Sequence, residues 1–224
     1  MKNRPKFPNG YNKKEKIFYH GSKGGLQGKI EPKSDEQCDF GKGFYVGETR
    51  TQVEDLICND TENTLISYQL KTNFKGLKTF EFTDDKDWAL FIARNRGMKK
   101  VLNNPKLMKY LSKFDTYDVI IGTIADDRFT SVLKDFFKDN ITLKALKECL
   151  DMFDYGKQYC FMTQKACDTL EIIDSHILSA KEINQYRQIR EDQFNNIDEK
   201  IEDVKAKYRR SKSKYFFEIL EEIK

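Results

Sequence analysis

The sequence contains few of the residues from which metal sites and disulfide frameworks are built. Only two of its 224 residues are histidine, and its five cysteines are scattered, with no CxxC pair among them. A structural zinc site needs clustered cysteine and histidine ligands, and a small secreted scaffold needs an even set of paired cysteines. The composition therefore favours reduced thiols, and it predicts neither a metal site nor a disulfide framework.

The chain also lacks long apolar runs. No stretch has the roughly 20 apolar residues that a membrane-spanning helix needs, and the first sixteen residues are polar and lack the apolar segment of a secretory signal. We therefore expect a cytoplasmic protein without a membrane partner.

Familiar nucleotide-binding and hydrolase motifs are missing as well: the sequence has no P-loop, GxGxxG, HExxH or GxSxG. Neither sign of charge dominates, because 40 Lys and Arg stand against 36 Asp and Glu, for a formal net charge of +4. A dedicated nucleic-acid binder usually carries a more one-sided excess. The charge balance neither requires nor excludes a nucleic-acid partner.

What the chain does have is enough apolar and aromatic residues for a core, with 38% hydrophobic residues that include 17 Phe and 11 Tyr. Its length fits one substantial domain with an appendage. Pro5, Pro8 and Gly10 predict a flexible segment over residues 1–15. Mixed strand and helix patterns predict an α+β domain over residues 16–180, and a charged, helical composition predicts an extension over residues 181–224.

Local patterns predict the elements of this domain. Thr49 or Thr51 is expected to cap a helix after the second strand, and Gly97 to interrupt a later one. Two strands on either side of Gly76 are expected to be neighbours in the sheet. Runs rich in β-branched and aromatic residues predict strands at 16–20, 43–48, 64–71, 78–82, 117–122, 158–163 and 171–179.

The C-terminal extension carries a heptad-like apolar seam, which needs a partner surface. Two alternatives remain open: the helix folds back on its own domain, or it docks on another chain or a second copy. The seam consists of Phe194, Ile197, Ile201, Val204, Tyr208 and Tyr215.

Two short stretches, "IFYHGS" at 17–22 and "DFGKGFYVGE" at 39–48, suggest chemistry. At the end of a strand, His20 can hydrogen-bond a hydroxyl group. The missing Cβ of Gly21 lets a planar carboxamide approach the backbone. Tyr45 follows two glycines, and its ring can stack on a flat cationic heterocycle. By packing alone, His20 would be a structural strand end and Tyr45 a core residue.

With a late block, "QYCFMTQKACDTLEIIDSHIL", these stretches resemble the H-Y-E branch of the ADP-ribosyltransferase superfamily, which includes diphtheria toxin and the poly(ADP-ribose) polymerases. The resemblance spans residues 16–179. It implies a split β-sandwich around an NAD cleft, with NAD as the co-substrate. By the same resemblance, His20, Gly21, Ser22, Gly43 and Tyr45 would hold the nicotinamide and its ribose.

The late block departs from the family at Gln158, which stands where the family has its catalytic glutamate. A "YDVIIGTIADD" segment and this glutamine make the chain similar to a bacterial subfamily of the superfamily. Cleavage of the nicotinamide–ribose bond passes through an oxocarbenium-like state, which a carboxylate stabilises. A neutral amide still orients ribose hydroxyls, but it supplies neither charge nor a general base.

Another acid could take over this role. Asp126 and Asp127 directly follow a buried strand, where side chains often enter a cleft. Either of them could instead cap the helix that begins near residue 128. We expect Arg94 and Arg96 to form a solvated helix face, the alternative being contact with the NAD pyrophosphate.

The resemblance thus implies an enzyme, a cytoplasmic mono-ADP-ribosyltransferase that is a toxin or a regulator. The acceptor can be protein or nucleic acid. The alternatives are a catalytically weak NAD or ADP-ribose binding module, an NAD glycohydrolase, or an interaction protein that acts through residues 181–224.

Overall fold

The computed structural model describes residues 15–59, 63–124, 130–152, 156–195 and 197–222. Within these ranges the chain forms one seven-stranded mixed sheet with helices around it, which confirms the predicted α+β class. The strands are β1 Lys16–Lys23, β2 Phe44–Gly47, β3 Leu65–Thr72, β4 Thr79–Glu81, β5 Val119–Thr123, β6 Lys157–Phe161 and β7 Glu171–Ile177.

Most helices lie in stretches for which the sequence predicts a helix, but it predicts neither the helix at Pro105–Leu111 nor the 3-10 helix at Ser112–Thr116. Thr49 caps the first helix, accepting a hydrogen bond from the backbone N–H of Gln52. Gly97, at a φ of 73°, separates the second helix from the third. The helices are α1 Arg50–Ile57, α2 Asp85–Asn95, α3 Lys99–Leu102, α4 Pro105–Leu111, α5 Thr130–Phe137, α6 Leu143–Asp151, α7 Gln164–Cys167, α8 Ala180–Phe194, α9 Ile197–Tyr208 and α10 Phe216–Glu221, and a 3-10 helix covers Ser112–Thr116.

The strand order across the sheet is β4-β5-β6-β2-β1-β3-β7. Only the pair β4 and β5 is parallel; the other pairs among the described strands are antiparallel. The prediction that β3 and β4 are neighbours is wrong, since β3 lies between β1 and β7 while β4 forms the opposite edge. Pairing with β5, rather than the short connection through Gly76, decides the place of β4.

Both faces of the sheet are covered. In β5, Ile120 packs into one core with α2, α4, α5, α6 and α9, while Val119 and Ile121 pack into a second core with α7 on the other face. A strand buried on both faces has no polar side to expose. This explains the unbroken apolar run that predicted β5.

The sheet is narrowest between β1 and β2. These two strands pair at one position, where Tyr19 lies opposite Gly47, whereas β1 pairs with β3 over its whole length. The sheet therefore consists of two halves, β4-β5-β6-β2 and β1-β3-β7, which meet at a short junction. The resemblance implied two separate small sheets; the structure has one sheet that nearly divides at this junction.

The C-terminal helices pack on the domain. Helix α8 lies against α1, and α9 lies against α6. Ile197, Ile201 and Val204 of the predicted seam are buried in the core that also contains α6. The seam is thus used within the chain, as the first of the two alternatives predicts. Docking of residues 181–224 on another chain stays a prediction.

Across the described ranges, none of the helices has both the length and the apolar character needed to cross a lipid bilayer.

Candidate functional site

A cavity of about 110 Å³ opens where β1 and β2 diverge. Helix α1 covers it with Val53, Leu56 and Ile57. The other walls come from β1, β2, the start of β6 and the residue after β5. Four of the predicted site residues line this one space: His20, Gly21, Tyr45 and Gln158.

The ring of His20 bridges the two diverging strands. Its Nδ1 lies 2.7 Å from the backbone carbonyl oxygen of Tyr45, which can only accept a hydrogen bond. The ring also stacks on Phe44, with 4.2 Å between the ring centroids. Burial lowers the pKa of His20, and the bond to the Tyr45 carbonyl opposes this only in part. The imidazole is therefore neutral, with Nδ1 protonated and Nε2 as an acceptor.

Gly21 allows α1 to lie close to β1. A Cβ at this position would come within 2.6 Å of the Val53 carbonyl oxygen and 2.8 Å of the Ile57 Cγ2. Both distances are too short for any side chain to be added without moving the helix. The glycine thus has a packing role that the sequence did not reveal: it allows the close approach of α1 to β1.

The hydroxyl of Tyr45 is held on both sides. It donates to the carbonyl oxygen of Gly41 at 2.7 Å and accepts from the backbone N–H of Phe40 at 2.9 Å. Burial raises the pKa of Tyr45 far above its ordinary value, so the phenol stays neutral. These two bonds hold the side chain of Tyr45, one of the residues that line the cavity, in one orientation.

On the side that faces the cleft, the side chain of Gln52 connects helix α1 to the residue after β2 and to the start of β6. Its Oε1 accepts from the backbone N–H of Glu48 at 2.9 Å, and its Nε2 donates to the carbonyl oxygen of Lys157 at 3.1 Å. On the opposite side, Tyr186 of α8 donates to Glu54 at 2.7 Å, and Arg190 donates to the Asp55 carbonyl oxygen at 2.6 Å. The C-terminal extension thus supports the helix that covers the cleft.

Gln158, at the start of β6, lies opposite both Gly47 and Gly122 in the sheet. Its Nε2 donates to Asp39 Oδ2 at 2.9 Å and lies 3.4 Å from the Thr123 carbonyl oxygen. Sequence reasoning missed Asp39, although it stands directly before the "FGKGFYV" stretch. The carboxylate of Asp39 therefore lies directly beside the amide of Gln158.

Four predicted site residues are not among the described residues that line the cavity. Ser22 lies in β1 opposite Ile66, outside the cavity lining. Gly43 packs so closely on Cys160 that a Cβ would come within 2.2 Å of its Sγ, and its N–H donates to Ser34 Oγ at 2.9 Å. Contact of Ser22 and Gly43 with a nucleotide stays a prediction. The remaining two predicted residues, Asp126 and Asp127, lie outside the described residues.

Arg94, in the last turn of α2, and Arg96, directly after it, do not form a solvated face. Arg94 donates to both carboxylate oxygens of Asp115, at 2.7 and 3.1 Å, and its side chain is only 11% exposed. Arg96 donates from Nε and Nη2 to Asp39 Oδ1, at 3.1 and 2.6 Å. Ion pairing, which the sequence pattern did not indicate, draws both side chains onto the domain.

The lining favours an uncharged or cationic planar ligand. It contains aliphatic groups, a neutral histidine, a neutral tyrosine and amide side chains. An apolar cavity of roughly 150 Å³ holds benzene, so a space of this order accommodates a single six-membered ring. Within the described part of the chain, no group of three His, Cys, Asp or Glu could hold a metal ion.

Comparison with known proteins yields one family. Residues 16–172 match the model of a family described as "Protein of unknown function (DUF3990)". No curated protein matches the chain. No solved structure matches it either.

Proposed function

Because the chain belongs to the DUF3990 family, whose description gives no function, we propose one from the cleft itself: mono-ADP-ribosyl transfer from NAD to a macromolecular acceptor. The observation that carries the proposal is the convergence of His20, Gly21, Tyr45 and Gln158 on one ring-sized cavity. These residues come from β1, β2 and β6, and the sequence resemblance had named each of them for nicotinamide or ribose.

The geometry suggests a role for each residue. The Nε2 of His20, left as an acceptor by the bond from Nδ1, would take a hydrogen bond from a ribose hydroxyl. The ring of Tyr45, fixed through its hydroxyl, would stack on the pyridinium ring. Gln158 would orient the ribose, and α1 would exclude water from the ring.

In the proposed reaction, the bond between the anomeric carbon and the pyridinium nitrogen breaks, and its electron pair leaves with nicotinamide. A lone pair of the acceptor forms the new bond to the same carbon, and the acceptor loses one proton. If water is the acceptor, the products are ADP-ribose, nicotinamide and a proton. Release of nicotinamide is therefore common to transfer and hydrolysis.

A second candidate, a weak NAD-binding module or an NAD glycohydrolase, is favoured by the neutral amide of Gln158. Without a carboxylate at that position, the oxocarbenium-like state receives less electrostatic stabilisation. A weak binder would bind NAD and release little nicotinamide. A glycohydrolase would release nicotinamide without labelling a macromolecule.

The test is incubation of the full chain with NAD labelled in its adenylate phosphate and a cell lysate, with nicotinamide followed by chromatography. Transfer is supported by nicotinamide release together with label on a macromolecule. Tyr45→Leu should abolish both, and Tyr45→Phe, which keeps the ring, should retain them. If nicotinamide release is absent and NAD does not raise the melting temperature, the NAD proposal fails altogether.

A further inference from the structure

Asp39, in the loop between β1 and β2, is a buried carboxylate with partners on both oxygens. It is 8% exposed. Its Oδ1 accepts from Arg96, and its Oδ2 accepts from the Nε2 of Gln158 at 2.9 Å. The Asp39 carbonyl oxygen accepts from Asn95 Nδ2 at 2.9 Å. The carboxylate is thus anchored to the end of α2 and directed at Gln158.

The neighbours of Gln158 determine which way its amide faces. Asp39 Oδ2 and the Thr123 carbonyl oxygen both lie near Nε2, and both are acceptors. An amide turned by 180° would bring its own oxygen against two other oxygens, so the nitrogen must occupy this place. Oε1 is then the polar atom of the Gln158 side chain that remains for a ligand in the cleft.

We propose that Asp39 is a positioning residue of the nicotinamide–ribose site, which makes Gln158 a fixed hydrogen-bond acceptor. This inference rests on the proposed function. Hydrogen bonding to a carboxylate also polarises the amide and increases the negative partial charge on Oε1. The pair of Asp39 and Gln158 thereby supplies part of the electrostatic effect that a glutamate would provide alone.

The pair has a direct consequence for the substitution Gln158→Glu. A carboxylate at residue 158 would lie within hydrogen-bond distance of the Asp39 carboxylate, and like charges this close raise one of the two pKa values. The single substitution therefore does not simply restore a catalytic glutamate. Combined with Asp39→Asn, it reverses the polarity of the pair, because the asparagine N–H₂ donates to the introduced carboxylate and the charge moves to residue 158.

The experiment compares the wild type with Asp39→Ala, Asp39→Asn, Gln158→Glu and the double variant Asp39→Asn/Gln158→Glu. Nicotinamide release is measured from pH 5 to 9, NAD affinity by calorimetry and folding by melting temperature. We expect Asp39→Ala to lower kcat at least tenfold with a smaller change in NAD affinity. Asp39→Asn should lower kcat less, because the side-chain amide oxygen of the asparagine can still accept from Gln158.

The pH profiles distinguish positioning from a structural effect. In Gln158→Glu, activity that needs the introduced carboxyl group in its ionised form should rise only at higher pH, because Asp39 raises the pKa of that group. In the double variant the rising limb should move to lower pH, and kcat should exceed that of either single variant. Asp115→Asn is the matched control. Asp115 is 52% exposed and pairs with Arg94 of α2, two residues before the arginine that pairs with Asp39, so this variant should leave the pH profile of nicotinamide release as in the wild type.

Two failures can be told apart. If the wild type releases nicotinamide but Asp39→Ala stays within twofold of it, the positioning inference is overturned and the proposed function stands. The positioning inference is also overturned if the change in kcat of the double variant equals the product of the changes in the two single variants and the pH profiles of nicotinamide release do not shift. If the wild type and all variants neither bind NAD nor release nicotinamide, the proposed function is overturned, and the positioning role with it.

Discussion

The Nδ1 of His20 donates to the backbone carbonyl oxygen of Tyr45 at 2.7 Å, across the gap at which β1 and β2 stop pairing. A side chain thus continues the connection after the backbone pairing ends at Tyr19 and Gly47. The strands can separate enough to form a cavity while the sheet remains one unit. Burial keeps the imidazole neutral, and the bond holds the proton on Nδ1, which leaves Nε2 as an acceptor for a ligand.

Replacing His20 by alanine should therefore affect stability and its pH dependence together. Loss of the hydrogen bond and of the stacking on Phe44 should lower the free energy of unfolding by about 1–3 kcal/mol at pH 8. The pKa of His20 is lowered in the folded state, so the unfolded chain takes up the proton first as the pH falls below about 6.5. Below that pH, protonation of His20 in the unfolded chain should lower the free energy of unfolding of the wild type.

Denaturant unfolding of both proteins at pH 8 and pH 5 measures this effect. The difference in stability between wild type and His20→Ala should shrink at pH 5, because the variant has no such group to protonate. An equal difference at both pH values would show that the imidazole is not held neutral.

Gly21→Ala should displace α1. The added Cβ would come within 2.6 Å of the Val53 carbonyl oxygen, a backbone atom that moves only with the helix. Overpacking of this kind costs about 1–3 kcal/mol, and a displaced α1 should also weaken NAD binding. Calorimetric melting with and without NAD checks both. The neighbouring Ser22→Ala, outside the cavity lining, is the control for stability; a melting temperature for Gly21→Ala equal to it would contradict the prediction.

Tyr45→Phe and Tyr45→Leu should separate the hydroxyl from the ring. Phenylalanine removes the bonds to Gly41 and Phe40 and leaves a buried N–H without its acceptor, so stability should fall by about 1–3 kcal/mol. Because the aromatic face remains, NAD affinity should stay within a fewfold of the wild type. Leucine should lose that affinity. Equal NAD binding by both variants would argue against stacking.

The C-terminal seam should behave as core. Ile201 is 6% exposed and packs in the core that contains α6, so Ile201→Ala should lower the free energy of unfolding by about 2–4 kcal/mol. Ile189 on α8 is 49% exposed, and Ile189→Ala should stay within about 0.5 kcal/mol of the wild type. Denaturant unfolding checks the pair. A change in oligomeric state for Ile201→Ala, without loss of stability, would instead favour docking on another chain.

Elements that depend on local chemistry could be predicted. The helix cap, predicted at Thr49 or Thr51 and found at Thr49, and the helix break at Gly97 follow from residues a few positions apart. The buried strand predicted at 117–122 and found at Val119–Thr123 follows from a local apolar run. The pattern of aromatic residues and glycines that marked His20 and Tyr45 as candidate site residues is also local. Helix caps, positive φ values and apolar runs are determined within one turn or one strand, so a single sequence contains them.

Features that depend on pairing between distant segments could not be predicted. The place of β4 beside β5, the ion pair of Arg96 with Asp39 and the contact of Asp39 with Gln158 each join residues far apart in the chain. The order of amino acids alone determined the residue types on which the proposed nicotinamide site rests, because their hydrogen-bonding capacity and conformational freedom belong to each residue by itself. That a buried carboxylate stands beside Gln158 depends on the folded arrangement, because this proximity arises when α2 packs against the loop before β2.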